Sequence, residues 1–167
     1  MQPINRIFPK QSAPARKNVR GKGEYLVFHC LVISSNPERG EMLASAAADN
    51  GWEAIVCNDV ESVAAHRSRG FAQLAIIDLE SDEAGDFAQL VGELAASKSL
   101  LTMVCGNEEN TEEEIYVRQA GAWLYLPGVS ESSNLSLLCV EAKHIVTKMH
   151  AASTTATSGK AGLRRAG

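Results

Sequence analysis

The pattern of apolar and polar positions over residues 25–149 predicts five strands and five helices in strict alternation. Runs of branched and aromatic residues at 25–33, 53–57, 74–79, 100–105 and 122–126 have the length of buried strands. Each is followed by a segment with apolar residues at helical spacing, such as Phe87, Leu90, Val91 and Leu94. Because the connections are short, this order predicts a three-layer α/β fold, (βα)5, with a five-stranded parallel sheet and helices on both faces.

Local signals predict where several helices begin. Asn36 followed by Pro37 indicates a capped first helix. Thr111, with Glu114 three residues later, predicts a capping box at the start of the fourth helix.

The apolar spacing also predicts the extent of the last helix, which is expected over 135–149. In the second helix, three apolar residues are expected to face the core: Val60, Val63 and Ala64.

Charge divides the chain into a body and two tails. Residues 1–23 carry six basic residues and no acid, and residues 151–167 carry three basic residues and no acid. Seven basic residues and all 20 acids therefore fall in 24–150, which gives that segment a formal charge of −13. We expect a domain at 24–150, a basic disordered tail at 1–23 and a flexible tail at 151–167. An acidic body argues against a dedicated nucleic-acid-binding domain.

Cysteine spacing and the length of the apolar runs bear on the cellular compartment and on possible cofactors. The four cysteines (Cys30, Cys57, Cys105 and Cys139) are widely spaced without a CxxC pair, which argues against a zinc site and against a disulfide framework. The longest apolar run has about half the length of a membrane-spanning helix, and the N-terminus has no secretory signal pattern. We therefore expect a cytoplasmic protein with reduced thiols, no metal or other cofactor, and no membrane contact.

In such sheets, ligands bind at the carboxyl ends of the strands. The residues expected there include Ser34, Ser35 and Asn36 after the first strand and Asp78 at the end of the third. Cys105 and Gly106 close the fourth strand, and Gly128 follows the fifth.

These segments resemble the receiver domain of two-component response regulators, the CheY-like family, over most of 24–150. LVISSN is similar to that family's first strand, LAIIDLE to the third strand, which ends in the phosphoacceptor Asp, and RQAGAWLYL to the segment entering the fifth strand. The resemblance implies that Asp78 is the phosphoacceptor candidate. It further implies an acidic pair for Mg²⁺ after strand one, a Ser or Thr after strand four and a Lys after strand five.

This chain departs from that pattern at every position except Asp78. Ser34 and Ser35 stand where the acidic pair is expected, and neutral hydroxyls are poor ligands for Mg²⁺. Cys105 or Gly106 stands at the Ser/Thr position and Gly128 at the Lys position. The interpretation we favour is a pseudo-receiver: a signalling module without catalytic residues that acts by protein–protein interaction and carries a degraded phosphorylation site.

Two aromatic residues mark a candidate interaction face in the region of the fourth helix, fifth strand and fifth helix. Tyr125 falls at the position of the family's aromatic switch, and Trp123 is expected to be an exposed partner anchor. A signalling protein or a second copy of the chain is the expected partner, the latter giving a homodimer through this face.

The sequence leaves two alternatives open. In the first, Asp78 is a working phosphoacceptor in a phosphorelay. In the second, residues 34–36 (Ser34, Ser35 and Asn36) bind a small anion at a helix N-terminus.

Overall fold

The computed structural model describes residues 26–82, 85–128 and 132–158, and within them five strands alternate with five helices. The strands are β1 (His29–Ile33), β2 (Glu53–Cys57), β3 (Ala72–Asp78), β4 (Leu101–Gly106) and β5 (Leu124–Pro127). The helices are α1 (Pro37–Asp49), α2 (Val60–Arg67), α3 (Asp86–Ala95), α4 (Thr111–Gln119) and α5 (Ser132–Ser158). The predicted order of elements is confirmed.

All strand pairs are parallel, and the strand order is β2-β1-β3-β4-β5. The register brings the carboxyl ends of the strands together at one edge of the sheet. Ile33 at the end of β1 pairs with Cys57 and with Ile77. Asp78 pairs with Cys105, and Gly106 pairs with Pro127 at the end of β5. The candidate residues that follow β1, β3, β4 and β5 therefore lie on one end of the domain.

The sheet separates two apolar layers. Residues of α1 and α5, including Leu43 and Cys139, pack on one face with every second residue of the inner strands, such as Val32. Residues of α2, α3 and α4 pack on the other face, against strand residues such as Leu31 and Val104. Because successive strand residues enter opposite layers, both faces need apolar side chains, and this explains the continuous apolar runs.

The first strand is shorter than the apolar run 25–33 predicts. It begins at His29, and the side chains of Leu26 and Val27 are 41% and 47% exposed. The neighbouring strands offer no earlier partner, because His29 already pairs with Glu53 and with Ala72, the first residues of β2 and β3. A strand cannot extend beyond the ladder that satisfies its backbone groups.

Two further expectations about helices are wrong. In α2, Val63 is fully buried but Val60 and Ala64 are exposed. This helix is only about two turns long, and Val63 is its one residue that is buried against the sheet. In α4, the cap is Asn110 and not Thr111. The Oδ1 atom of Asn110 accepts the backbone N–H of Glu113 at 3.0 Å, and Thr111 is already the first helical residue.

The last helix is longer than predicted and continues to Ser158, into the segment expected to be a flexible tail. Residues 151–158 contain only Ala, Ser and Thr, with no Gly or Pro before Gly159 that would end the helix. The predicted N-terminal tail (1–23) and residues 159–167 lie outside the described residues. None of the helices described is long and apolar enough to cross a membrane.

Candidate functional site

Asp78 is the last residue of β3, and its side chain is completely buried. β3 is the central strand of the sheet, so its carboxyl end is flanked by β1 on one side and β4 on the other. A carboxylate removed from water in this way costs several kcal/mol unless partners compensate it. The partners of Asp78 therefore determine what the site can do.

Arg39 supplies the compensating charge. Its Nε donates to Asp78 Oδ2 at 2.9 Å and its Nη2 donates to Asp78 Oδ1 at 3.0 Å, which is a two-pronged guanidinium–carboxylate pair. Nη2 also lies 2.8 Å from Glu80 Oε2, just after β3. The hydrogen bond to Asp78 is the main cause that raises the pKa of Arg39, and partial burial opposes it. One cation thus serves two carboxylates.

The local structure of α1 aims Arg39 at the sheet edge. The Oδ1 atom of Asn36 accepts the backbone N–H groups of Glu38 and Arg39 at 3.0 and 3.1 Å, and Pro37 occupies the first helical turn. This cap places Arg39 in the first turn, next to the end of β1. The predicted cap at Asn36 is confirmed, and its consequence for Arg39 is new.

The two serines that stand at the acidic-pair positions play different parts. Ser34 is buried, and its Oγ lies 2.8 Å from Asp78 Oδ2 and 3.1 Å from the hydroxyl of Ser81. Ser35 is exposed, and its hydroxyl donates to the backbone carbonyl of Ser81 in the loop after β3. The structure therefore brings Ser34 to Asp78 and leaves Ser35 outside the carboxylate's immediate surroundings.

The backbone amides that an anion would need at the start of α1 already have acceptors. The N–H of Asn36 donates to Ser34 Oγ at 3.2 Å, and the N–H of Gly40 donates to the carbonyl of Asn36. Pro37 has no N–H, and Asn36 Oδ1 takes the next two. An open cleft of about 900 Å³ at this edge is also lined by acids, namely Asp59, Glu61, Glu80, Asp82 and Asp86. These observations do not support the anion-binding alternative.

The residues at the end of β4 and directly after β5 supply no hydroxyl or amine for a group bound at Asp78. Cys105 is fully buried in the layer under α1 and α5, and burial, followed by the charge of Asp78, raises the pKa of its thiol to about 12. Gly106 ends β4 and has no side chain. Gly128 adopts a φ of 59°, which favours glycine, and an added Cβ would collide with Glu108.

Tyr125 points into the protein. Its ring is 4% exposed, and its hydroxyl lies 2.8 Å from Glu113 Oε1 and 3.0 Å from the carbonyl of Asn107. Burial and then the hydrogen bond to Glu113 raise the pKa of Tyr125 well above its ordinary value. The phenol is therefore protonated at neutral pH and donates a hydrogen bond at the start of α4.

Trp123 is not the exposed anchor that the sequence suggests. It is half-buried and packs against the layer formed with α1 and α5. Its backbone N–H donates to the carbonyl of Thr102, which fixes it beside β4.

The chain matches no protein-family model and no curated protein sequence significantly. Solved structures do match. One is NtrX from Brucella abortus in complex with ADP, with 18% identity, 77% of this chain covered and a TM-score of 0.65. Another is a response regulator from Thermotoga maritima, with 15% identity, 73% of this chain and 99% of that chain covered, and a TM-score of 0.61. A third is a putative pilus assembly protein (CpaE) from Burkholderia thailandensis, with 18% identity, 71% and 99% coverage, and a TM-score of 0.57.

The chain has the receiver-domain fold of response regulators. It spans 29% of the NtrX chain, and the receiver domain of NtrX on its own matches with a TM-score of 0.60 over 68% of this chain. The fold inferred from the sequence is therefore confirmed. At these identities the likeness concerns the fold, and the roles of individual residues depend on the geometry described above.

Within this receiver fold, sequence reasoning missed Arg39 and Glu80. The signal that could have found Arg39 is its isolation, since it is the sole Lys or Arg between residues 23 and 66 and falls in a first helical turn after a buried strand. Among the described residues, no group of three or more His, Cys, Asp or Glu side chains could hold a metal ion. The acidic residues of the cleft are spread around its rim, and the cation at Asp78 is a guanidinium.

Proposed function

We propose that this protein is a cytoplasmic signalling module with a receiver fold that acts through protein contacts and does not depend on phosphorylation of Asp78. One observation carries the proposal: both carboxylate oxygens of the buried Asp78 are bound to Arg39, and one of them also to Ser34. A nucleophilic carboxylate needs a free oxygen lone pair facing the phosphoryl donor and a metal ion that neutralises the phosphoryl oxygens. The guanidinium of Arg39 binds both oxygens of this carboxylate, and Ser34 and Ser35 supply no acidic pair for a metal ion.

The identity of the neighbouring residues supports the same conclusion. Mg²⁺ prefers several oxygen ligands in octahedral geometry, and Ser34 offers one neutral hydroxyl that is already bonded to Asp78. Gly106 and Gly128 offer no side chain to hold a phosphoryl group, and no Lys or Arg occurs between residues 123 and 138. In this proposal, the protein keeps the outer surfaces of a receiver fold but lacks the side chains that phosphoryl transfer to Asp78 would need.

The test is direct phosphorylation. The protein is incubated with Mg²⁺ and acetyl phosphate, and separately with beryllofluoride, and followed by intact mass and by amide chemical shifts. We expect no mass gain and no shift around Asp78. A matched variant, Arg39→Ala combined with Ser34→Asp and Ser35→Asp, frees the carboxylate and adds two acids; it should bind Mg²⁺ measurably. Stoichiometric modification of the natural chain at Asp78 would instead establish the phosphorelay alternative.

The surface that makes contact, in this proposal, is formed by α4, β5 and α5, which we call the α4–β5–α5 face. β5 is an edge strand of the sheet. Exposed apolar side chains lie on both helices: Ile115 of α4 is 50% exposed and Leu137 of α5 is 71% exposed. Apolar side chains rimmed by charge are typical of protein contacts, and the first turn of α4 carries three consecutive glutamates. Because Trp123 is half-buried, Ile115 and Leu137 replace it as the proposed anchors.

We propose that the occupant of this face is a second copy of the chain. Sedimentation equilibrium over a range of concentrations tests this, with Leu137→Ser as the variant. We expect the substitution to weaken self-association by about 2 kcal/mol if Leu137 is a central anchor. The matched control is Phe71→Ser, because Phe71 is 64% exposed but precedes β3 at the opposite end of the sheet. A chain that stays monomeric at all concentrations, or responds to Phe71→Ser instead, contradicts the assignment.

A further inference from the structure

Gly106 lies at the point where β4, β5 and the start of α4 meet. Its backbone does not adopt the left-handed conformation that requires glycine, so the reason for a glycine here is space. A Cβ built on Gly106 would meet Tyr125 Oη, Tyr125 Cε2 and Glu113 Oε1, all closer than real Cβ atoms approach their neighbours. The volume that any other residue would need is filled by two side chains from β5 and α4.

The same two side chains are bonded to each other and to the loop after β4. Glu113 Oε1 accepts from Tyr125 Oη at 2.8 Å and from the backbone N–H of Asn107 at 3.2 Å, and Tyr125 Oη lies 3.0 Å from the carbonyl of Asn107. One carboxylate oxygen thus joins residue 107, α4 and β5, and the single proton of the phenol lies between that oxygen and the Asn107 carbonyl. The backbone pair from Gly128 N–H to the Gly106 carbonyl, at 2.9 Å, lies beside it.

We propose that Gly106, Tyr125 and Glu113 form a steric latch that holds Tyr125 inside the protein and α4 against β5, so that the α4–β5 surface has one conformation. The latch depends on the missing side chain at position 106. The hydrogen bonds of Tyr125 and Glu113 described above do not include Asp78, so in this proposal the state of the latch is set by position 106 and not by the carboxylate. This inference stands independently of the function proposed above, since it concerns the free protein.

Tyrosine ring NMR of the full chain tests the latch. The protein contains three tyrosines, and the resonance of Tyr125 is assigned by comparison with Tyr125→Phe. In Gly106→Ser we expect the Tyr125 ring signals to move to the position of an exposed tyrosine, because the new side chain takes its place. In Asp78→Asn they should stay unchanged. The matched control is Gly92→Ser in α3, where an added Cβ has ordinary room, 3.8 Å from the hydroxyl of Tyr116.

A stability cycle covers the case in which Gly106→Ser does not fold. Gly106→Ala should raise the unfolding equilibrium constant by roughly 5- to 150-fold, since overpacking a filled site costs about 1–3 kcal/mol. In the Tyr125→Leu background, which keeps apolar volume but lacks the ring atoms near position 106, the same change should have a clearly smaller effect. An equal effect in both backgrounds, or Tyr125 ring signals that do not move in a folded Gly106→Ser, overturns the latch.

Discussion

Replacing Arg39 with alanine is the sharpest test of the arrangement around Asp78. The change removes the guanidinium that binds both carboxylate oxygens, while alanine is at least as good a helix former as arginine. The hydrogen bond from Ser34 to Asp78 remains. The change also breaks the pair with the partly exposed Glu80, but such a pair contributes about 1 kcal/mol or less. A larger loss of stability therefore reports on the unpaired buried carboxylate and not on the helix.

The magnitude follows from burial. Breaking a buried ion pair by removing one partner costs about 3–5 kcal/mol, because the remaining charge is left without compensation. An ordinary aspartate can escape part of this cost by taking up a proton, which requires about 4 kcal/mol at neutral pH and sets an upper limit. Arg39 is itself 24% exposed, so water can enter where its side chain was. We expect a loss of about 3 kcal/mol in the free energy of unfolding.

Urea unfolding followed by circular dichroism measures this loss, with Arg118→Ala as the control. Arg118 makes an exposed pair with Glu114 one helical turn away, with an Nη2–Oε1 distance of 2.8 Å, and such pairs contribute about 0.5 kcal/mol or less. The third variant is Asp78→Asn, alone and combined with Arg39→Ala. Because asparagine needs no cation, the double variant should be less destabilised than the sum of the two single ones.

A small loss of stability in Arg39→Ala would show that the pair with Asp78 contributes little. If Arg39→Ala costs no more than Arg118→Ala, then Asp78 does not depend on the guanidinium. If the two changes at Arg39 and Asp78 are simply additive, the pair does not interact in solution. Either result would reopen the possibility that the carboxylate is free to accept a phosphoryl group.

Three further predictions concern stability. Thr102 has a buried hydroxyl without a hydrogen-bond partner among the described residues, so Thr102→Val should raise the free energy of unfolding by about 1 kcal/mol in urea titrations; a loss would show that the hydroxyl is satisfied. Asn36→Ala should cost about 1 kcal/mol through the lost cap of α1, whereas Asn58→Ala, outside any helix and strand, should cost little. Finally, burial raises the pKa of Cys30, of Cys105 to about 12 and of Cys139 to about 11. The folded chain then keeps protons that unfolded thiols lose above about pH 8.5, so stability should fall as pH rises through that range, and Cys105→Ala should reduce the slope.

The apolar pattern alone determined the architecture. The three inner strands, β1, β3 and β4, are buried on both faces, and the helices are buried on one. The apolar runs and helical spacings that produce this burial are local properties of the chain and can be read directly from the sequence. The position of Asp78 at the end of an apolar run, and the serines where the acidic pair is expected, are local in the same sense. The cap at Asn36 and the inward residues of α3 were predictable for this reason and are confirmed.

Tertiary structure decided the contacts on which function depends. Arg39 and Asp78 are 39 residues apart, and a helical surface position does not reveal that its side chain reaches across a strand end. Trp123 and Tyr125 are two residues apart, yet one is half-buried against the layer with α1 and α5 while the other fills the space above Gly106. Burial of one residue depends on which elements pack against it, and a missing side chain matters only through the neighbours that occupy its volume. Such relations exist only once the sheet has brought distant segments together.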